Sequence, residues 1–363
     1  MYDLIIVETP YQLFNAINFA YHNKESDMDL IIINHFKNAE MLYEKVQSSQ
    51  IFLRTFLFAR DEPRFMARGL KRKLLNARNS IFYRKALSKV SGKSNLIEFE
   101  NKYDRIFTSV LNEIEVALLR INHKAKLVLY DDGLGSYKGN NLFDTRRKLE
   151  LMFYRIINGG PYVRTPSSLF VNNVSACKST TVDKSMIFSL PKFDQEFLTI
   201  AKNIFSISNE NHYLDKKIIW FSQPIGGLPG EIEHRNIIRN ILFDYKDKVI
   251  VKIHPRDMDR SFYKDFCIDD ESDLWELKLN SINIEEKILI GFCSTAQVTP
   301  KYLFNYEPVC IFLYNLNNQN PFQIYKEIID DVKTQYNKKE KIIIPKNADD
   351  FKRIMDNEIS LSE

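Results

Sequence analysis

Two adjacent carboxylates, Asp131 and Asp132, follow the apolar run AKLVLY and precede Gly133 in the sequence LYDDGLGSY. Carboxylates this close cannot both ionise freely, so one of them can keep a raised pKa and remove a proton from an attacking hydroxyl. Gly133 allows a sharp turn and the close approach of a substrate. We predict acid–base chemistry or acceptor binding here. A plain polar turn and a Mg²⁺ site are the alternatives, although magnesium sites usually use substrate phosphates as well.

A histidine in a basic setting is the second candidate. The sequence KIHPRD places His254 between Lys252 and Arg256 and directly before Pro255. Because proline fixes its own backbone and restricts the residue before it, His254 should be held rigidly. The flanking cations favour an anion, so we expect His254 to donate a hydrogen bond or a proton to the phosphate of a departing nucleotide. The alternative is a histidine in an ordinary basic turn.

Hydroxyl groups supply the third candidate. In GFCSTAQ, Ser294 and Thr295 precede a helical pattern, so two hydroxyls and the free amides of a helix start should converge on an anion. Ordinary N-capping, which needs one hydroxyl, is the alternative. Ser222 and Gln223 open another loop after an apolar run, and we expect them to contact the same nucleotide.

These residues follow apolar runs of strand length that alternate with helical patterns. The runs are DLIIV, DLIIIN, DRIFTSV and KLVLY in the first half, and KKIIWF, KVIVK, KILIGF and VCIFLY in the second. Such alternation indicates parallel sheets covered on both faces. The sequence therefore predicts an α/β protein of the GT-B type, with two Rossmann-like, doubly wound domains at residues 1–190 and 191–363.

Ligands of open parallel sheets bind beyond the carboxyl ends of the strands, where all of these candidates lie. After the first run, Thr9 should cap a helix that has Pro10 in its first turn. We expect Thr9, Pro10, Gln12 and Gly133 on the acceptor side and the second domain on the nucleotide side of an interdomain cleft.

Composition excludes several classes of protein. Hydrophobic residues make up 44% and charged residues 27% of the 363, as in globular proteins, and a net charge of +4 is too small to indicate nucleic-acid binding. The four cysteines lie far apart without metal-ligand spacing, which predicts a reducing compartment. Neither a signal peptide nor a membrane span is evident, so we expect a cytoplasmic protein.

Basic and apolar residues interleave at helical spacing between residues 60 and 89. This segment could lie on an anionic membrane surface, which would put the protein at the inner face of the membrane, or it could face an anionic substrate. A solvated basic helix face is the alternative.

The motifs TPYQLFNAI, YDDGLGSY, KIHPRD and GFCSTA, in this order, resemble the bacterial GT-B sialyltransferases, particularly glycosyltransferase family 52 with its lipooligosaccharide sialyltransferases. The resemblance covers about residues 3 to 315. It implies a CMP-sialic acid donor, a glycan acceptor such as a galactoside, inversion at the anomeric carbon and no obligatory metal or other cofactor. A homodimer is a further expectation.

The resemblance leaves the catalytic base open. In related sialyltransferases the base is an aspartate of the Asp-Asp-Gly motif, which corresponds to Asp132 or Asp131. In family 52 it is instead an acid in the loop after the first strand of the second domain, where this chain offers Glu231 and Glu233. A GT-B enzyme with another nucleotide sugar and a non-catalytic protein that binds glycans or nucleic acid remain the alternative functions.

Overall fold

The computed structural model describes residues 1–59, 78–79, 81–92, 96–137, 165–179, 181–207, 212–222, 231–254, 257, 260–269, 274–316 and 323–360. The chain forms two compact units, Met1–Ser206 and Ile207–Glu363. The first unit ends later than the expected boundary at residue 190, because the helix Gln195–Phe205 buries Phe197 and Phe205 against Phe14 of the first helix.

The described part of the first unit contains a parallel sheet of seven strands in the order β3-β2-β1-β4-β5-β6-β7. The strands are β1 Tyr2–Val7, β2 Asp27–Ile33, β3 Arg54–Phe58, β4 Arg105–Thr108, β5 Lys126–Tyr130, β6 Ser168–Val171 and β7 Ile187–Ser189. Its helices are α1 Pro10–His22, α2 Ala39–Ser49, α3 Tyr83–Val90, α4 Glu113–Ile121, α5 Leu134–Tyr137 and α6 Gln195–Phe205.

In the second unit the described residues form a parallel sheet of six strands in the order β10-β9-β8-β11-β12-β13. The strands are β8 Ile218–Phe221, β9 Val249–Lys252, β10 Cys267–Asp269, β11 Ile288–Gly291, β12 Val309–Phe312 and β13 Ile342–Ile343. Its helices are α7 Glu231–Phe243, α8 Trp275–Lys278, α9 Thr295–Phe304, α10 Gln323–Gln335 and α11 Ala348–Ser360.

The predicted α/β class and both parallel sheets are confirmed. All eight predicted apolar runs contain strands, and their continuous burial reflects helices on both faces of each sheet. The strand order reverses between β1 and β4 in the first unit and between β8 and β11 in the second. Open parallel sheets bind ligands at such switch points, so we expect a ligand site at the carboxyl ends of these strands in each unit.

Among the described residues, no helix is both long and apolar enough to cross a membrane.

Candidate active site

The loop after β1 starts α1 in the predicted way. Thr9 is the N-cap and its hydroxyl accepts a hydrogen bond from the backbone N–H of Gln12 (3.2 Å), while Pro10 occupies the first turn. Gln12 is buried, and its Oε1 accepts a hydrogen bond from the backbone N–H of Glu8 (2.6 Å). This arrangement is close to a capping box, in which a Gln side chain reaches back to the helix start.

Asp132 is the carboxylate that solvent can reach. Its Oδ1 accepts a hydrogen bond from Nε2 of Gln12 (2.7 Å), and its backbone N–H donates to Oγ of Ser136 (2.8 Å). Crowding by protein atoms raises the pKa of Asp132 to about 6; the Gln12 hydrogen bond opposes this rise, and the charges of Asp131 and Glu8 add to it. The side chain keeps an exposed surface, so water still hydrates part of the carboxylate. A carboxyl with this pKa can accept a proton near neutral pH.

Asp131 is fully buried and anchors the turn. Its Oδ1 accepts from the backbone N–H of Gly133 (2.7 Å), and its Oδ2 accepts from the hydroxyl of Tyr137 (2.5 Å) and from the backbone N–H of Asn172 (3.0 Å). Gly133 has a φ of 90°, in the region that favours glycine. Burial raises the pKa of Asp131, and these hydrogen bonds oppose the rise. Solvent thus reaches Asp132, whereas Asp131 holds the turn. Which of the two carboxylates serves as the base stays a prediction.

A second pair of carboxyl groups lies at the end of β1. The side chain of Asn112, the N-cap residue of α4, donates to both carboxylate oxygens of Glu8 (3.0 and 3.1 Å). Glu115 in the same helix is fully buried, and burial together with the charge of Glu8 raises its pKa well above the usual range. Burial and the neighbouring carboxylate therefore both favour the protonated form of Glu115.

In the second unit, Ser222 positions the backbone of His254. The hydroxyl of Ser222, which follows β8, accepts a hydrogen bond from the backbone N–H of His254 (2.8 Å), and the carbonyl of His254 accepts from the backbone N–H of Asp257 (2.8 Å). The hydroxyl of Tyr263 donates to the carboxylate of Asp257 (2.8 Å), and Arg235 lies 3.7 Å from the same carboxylate. The backbone of His254 is thus held by hydrogen bonds at both its N–H and its carbonyl group.

Lys252, a predicted donor ligand, makes an ion pair inside the second unit. It is the last residue of β9, and its Nζ donates to Oδ2 of Asp269 on β10 (2.9 Å). Although burial raises the pKa of Asp269, Lys252 and Lys278 and the hydroxyl of Tyr213 together hold this pKa below its usual value. Lys252 therefore stabilises a buried carboxylate between two strands. Its contact with a nucleotide stays a prediction.

Ser294 is the N-cap of α9, as the capping alternative requires. Its Oγ accepts from the backbone N–H of Ala296 (3.3 Å), and Oε1 of Gln297 accepts from the backbone N–H of Ser294 (3.0 Å). A Cβ at position 291 would lie 2.7 Å from Oε1 of Gln297, so a larger residue there would displace this capping side chain. A capping serine still has its own proton to donate, and Ser294 and Thr295 are both partly exposed, so both hydroxyls remain available to an anion.

The remaining candidates divide into two groups. Glu231 and Glu233 belong to the first turn of α7 rather than to a loop, and the side chain of Glu233 is exposed. Gln223, Pro255, Arg256, the side chain of Glu231 and most of the segment 60–89 lie outside the described residues.

Sequence reasoning missed the residues that orient the candidates. The sequence indicates Gln12 as a candidate, but it does not indicate the contact of Gln12 with Asp132, which is 120 positions away. The Thr-x-x-Gln spacing at residues 9–12 is a capping-box signal that indicates where the Gln side chain turns. For Glu8, Asn172 and Tyr263, no local signal in the sequence indicates their contacts.

Comparisons with known proteins bear on the fold and the family. The computed structure is similar to the UDP-GlcNAc 2-epimerase of Methanocaldococcus jannaschii, solved in complex with UDP-GlcNAc and UDP, with a TM-score of 0.52 at 13% identity over 98% of this chain and 100% of that one. It is also similar to spinosyn rhamnosyltransferase complexed with thymidine diphosphate (TM-score 0.53, 11% identity, 99% and 92% coverage). At these identities the likeness concerns the fold, which is the GT-B architecture of two Rossmann-like domains.

No curated protein sequence gives a significant match. Residues 3–311 do match the family described as Alpha-2,8-polysialyltransferase (POLYST). The sialyltransferase resemblance of the motifs is thereby confirmed. The chain, with its GT-B fold, belongs to the alpha-2,8-polysialyltransferase family and is a glycosyltransferase.

Proposed function

We propose that the protein transfers sialic acid from CMP-sialic acid to a hydroxyl of a surface glycan, with Asp132 as the general base. The observation that carries the proposal is the state of Asp132: a solvent-reachable carboxylate at the end of β5 whose pKa is raised to about 6. A general base should have a pKa near the working pH, and Asp132 meets that condition. Asp131, in contrast, is buried and its carboxylate oxygens already accept hydrogen bonds from the protein.

In the proposed step the oxygen of the acceptor hydroxyl attacks the anomeric carbon of sialic acid from the face opposite CMP. The bond between that carbon and the phosphate oxygen breaks, and CMP leaves with the electron pair. The hydroxyl proton passes to Asp132. Attack from the opposite face inverts the anomeric configuration, as in other inverting transfers with an oxocarbenium-like transition state.

The second unit supplies the proposed nucleotide site. His254 lies at the carboxyl end of β9, where the hydroxyl of Ser222 accepts from its backbone N–H. Ser294 and Thr295 lie at the carboxyl end of β11, at the start of α9. A helix start favours a phosphate through its free N–H groups and its dipole. We also keep Gln223, Pro255 and Arg256 in the proposed site from the motifs alone.

Two acceptors are consistent with the proposal. The motif resemblance favours a galactoside, whereas the family description favours the hydroxyl of a terminal sialic acid. The test is to incubate the purified protein with CMP-sialic acid and a panel that includes both. Formation of a sialylated product supports the proposal. Absence of transfer to every acceptor, with UDP- or TDP-linked sugars used instead, would contradict it.

We further propose that transfer needs no metal. The single phosphate of CMP needs less charge compensation than a diphosphate, and hydrogen bonds from His254 and the α9 start could supply it. Full activity in EDTA is the expected result, and loss of activity that Mg²⁺ restores would contradict it.

Contact with the inner face of the membrane through the segment 60–89 remains part of the proposal. Within its described portion, Ile81 is 52% and Phe82 60% exposed, and the exposed side chains of Lys85 and Lys89 follow in α3. Exposed apolar and basic side chains together suit an anionic lipid surface. Sedimentation with vesicles of anionic lipid, reduced by Phe82→Ser, would support this contact, and equal sedimentation of both proteins would contradict it.

A further inference from the structure

Gln12 makes a pair of hydrogen bonds that a helix cap does not require. Its Oε1 accepts from the backbone N–H of Glu8 (2.6 Å), and its Nε2 donates to Oδ1 of Asp132 (2.7 Å). The side chain is only 2% exposed, so it has little freedom to turn. Because the backbone N–H of Glu8 must face an acceptor, the amide group can point only one way, with its NH₂ towards Asp132.

Gln297 in the second unit has the same helix position as Gln12 and can be compared with it. Gln297 occupies the same third position of α9 that Gln12 occupies in α1, and its Oε1 likewise accepts from a backbone N–H at the helix start, that of Ser294 (3.0 Å). Its Nε2, however, donates to the backbone carbonyls of Leu289 (3.3 Å) and Ile311 (3.0 Å). Gln297 therefore joins the helix to neighbouring strands, whereas Gln12 joins the helix to a carboxylate.

Glutamate and glutamine cap a helix equally well from this position, since only the acceptor oxygen is used. Only glutamine can also donate to a carboxylate. The identity of residue 12 is thus explained by Asp132 and not by the helix.

The surroundings of Asp132 make this donor important. Among the residues that the structure describes, the charged groups near its carboxylate are Asp131 on the same turn and Glu8 after β1, both acidic. The buried hydroxyl of Tyr130 has a raised pKa and donates to the carbonyl of Ile6 (2.8 Å). Each of the two acids favours the protonated, inactive form of Asp132. In the described part of the chain, Gln12 gives the carboxylate its side-chain hydrogen bond, and no hydrogen bond reaches Oδ2.

We propose that Gln12 is a positioning residue that keeps Asp132 ionised and turns its Oδ2 towards the acceptor hydroxyl. The inference rests on the proposed role of Asp132 as the base. Gln12 acts through Asp132 and takes no part in the proton transfer.

The test is the pH dependence of kcat/KM for sialyl transfer, whose acid limb reports the ionisation of the base in the free enzyme. Gln12→Glu keeps the acceptor for the Glu8 N–H and removes the donor to Asp132; Gln12→Met removes both without adding a charge. We expect the acid limb to move up by about one to two pH units in both variants, because a hydrogen bond to a charged group is lost. Activity should return at higher pH.

Gln297→Glu is the matched control, because it makes the same change at the same helix position, where the Nε2 group donates to backbone carbonyls rather than to a carboxylate. It should lower the melting temperature and leave the acid limb where it is. An acid limb that stays in place in both Gln12 variants, or loss of activity at every pH in folded Gln12→Met, would overturn the inference.

Failure of the underlying assignment has a different signature. If Asp132→Asn retains full transfer activity, Asp132 is not the base and the proposed function is revised. If Asp132→Asn is inactive while the Gln12 variants keep the wild-type pH profile, only the role of Gln12 is wrong.

Discussion

Acid should destabilise the second unit through one buried histidine, His234 in the first turn of α7. His234 is 2% exposed, its ring packs edge-on against Phe292 with centroids 5.2 Å apart, and neither ring nitrogen has a hydrogen-bond partner among the described residues. Burial lowers the pKa of His234 from 6.5 to about 4. The folded protein therefore holds the neutral ring, and the unfolded chain takes up a proton at a higher pH.

The sign and size of the effect follow from this difference. Above about pH 6.5 the ring is neutral in both states, and stability is unaffected by its titration. As the pH falls from 6.5 to 4, the unfolded chain binds the proton first, so stability is lost across this window. A shift of this size corresponds to about 3 kcal/mol, as an order of magnitude.

The assay is urea unfolding between pH 7 and pH 4, followed by tryptophan fluorescence. Both tryptophans of the chain, Trp220 and Trp275, are buried in the second unit, so the signal reports that unit. Wild type should lose about 3 kcal/mol more than His234→Leu over this range. The matched control is His212→Leu, because His212 is an exposed histidine of the same unit. Equal pH dependence in wild type and His234→Leu would refute the reasoning.

Two further predictions concern the proposed nucleotide site. Replacing Ser294 and Thr295 together with Ala should weaken CMP binding by about 1 to 3 kcal/mol, because hydrogen bonds to a charged group are lost. The affinity is measured by calorimetry on protein shown to be folded. Unchanged affinity would show that neither hydroxyl belongs to the site. His254→Ala should lower kcat by about 10²-fold or more with the fold retained, the usual contribution of a positioned acid, whereas a change of only a few fold would give His254 a structural role.

Much of the fold could be predicted from the sequence because the central strands are buried on both faces. DLIIV, KLVLY and KILIGF are continuous apolar runs of the right length, and all contain strands. The strands that the pattern did not reveal are short or lie towards the sheet edges, such as β7 with three residues and β13 with two. In so few residues no period can be recognised, and pairing with a neighbouring strand decides the conformation.

The candidate site was predictable in its location but not in the roles of its residues. That LYDDGLGSY ends a strand follows from local sequence. That Asp131 is an anchor depends on Asn172, which is 41 positions away, and on burial. Lys252 is a cation in a basic motif, which indicates an anionic ligand, yet its ammonium group pairs with Asp269 on the neighbouring strand. A charged residue in a motif predicts a partner of opposite charge, but only the fold shows which partner lies within reach.

Asp132→Asn, assayed with saturating acceptor, is the decisive test of Asp132 as the base of sialyl transfer. The asparagine keeps the size of the side chain and an oxygen for Gln12, but it cannot take up the proton. If Asp132 is the base, this change abolishes transfer while CMP affinity and melting temperature stay near wild type. Glu233→Gln, a change of an exposed side chain in the first turn of α7, should then have a mild effect. Full transfer by Asp132→Asn, or a large loss of kcat in Glu233→Gln instead, would contradict this role of Asp132.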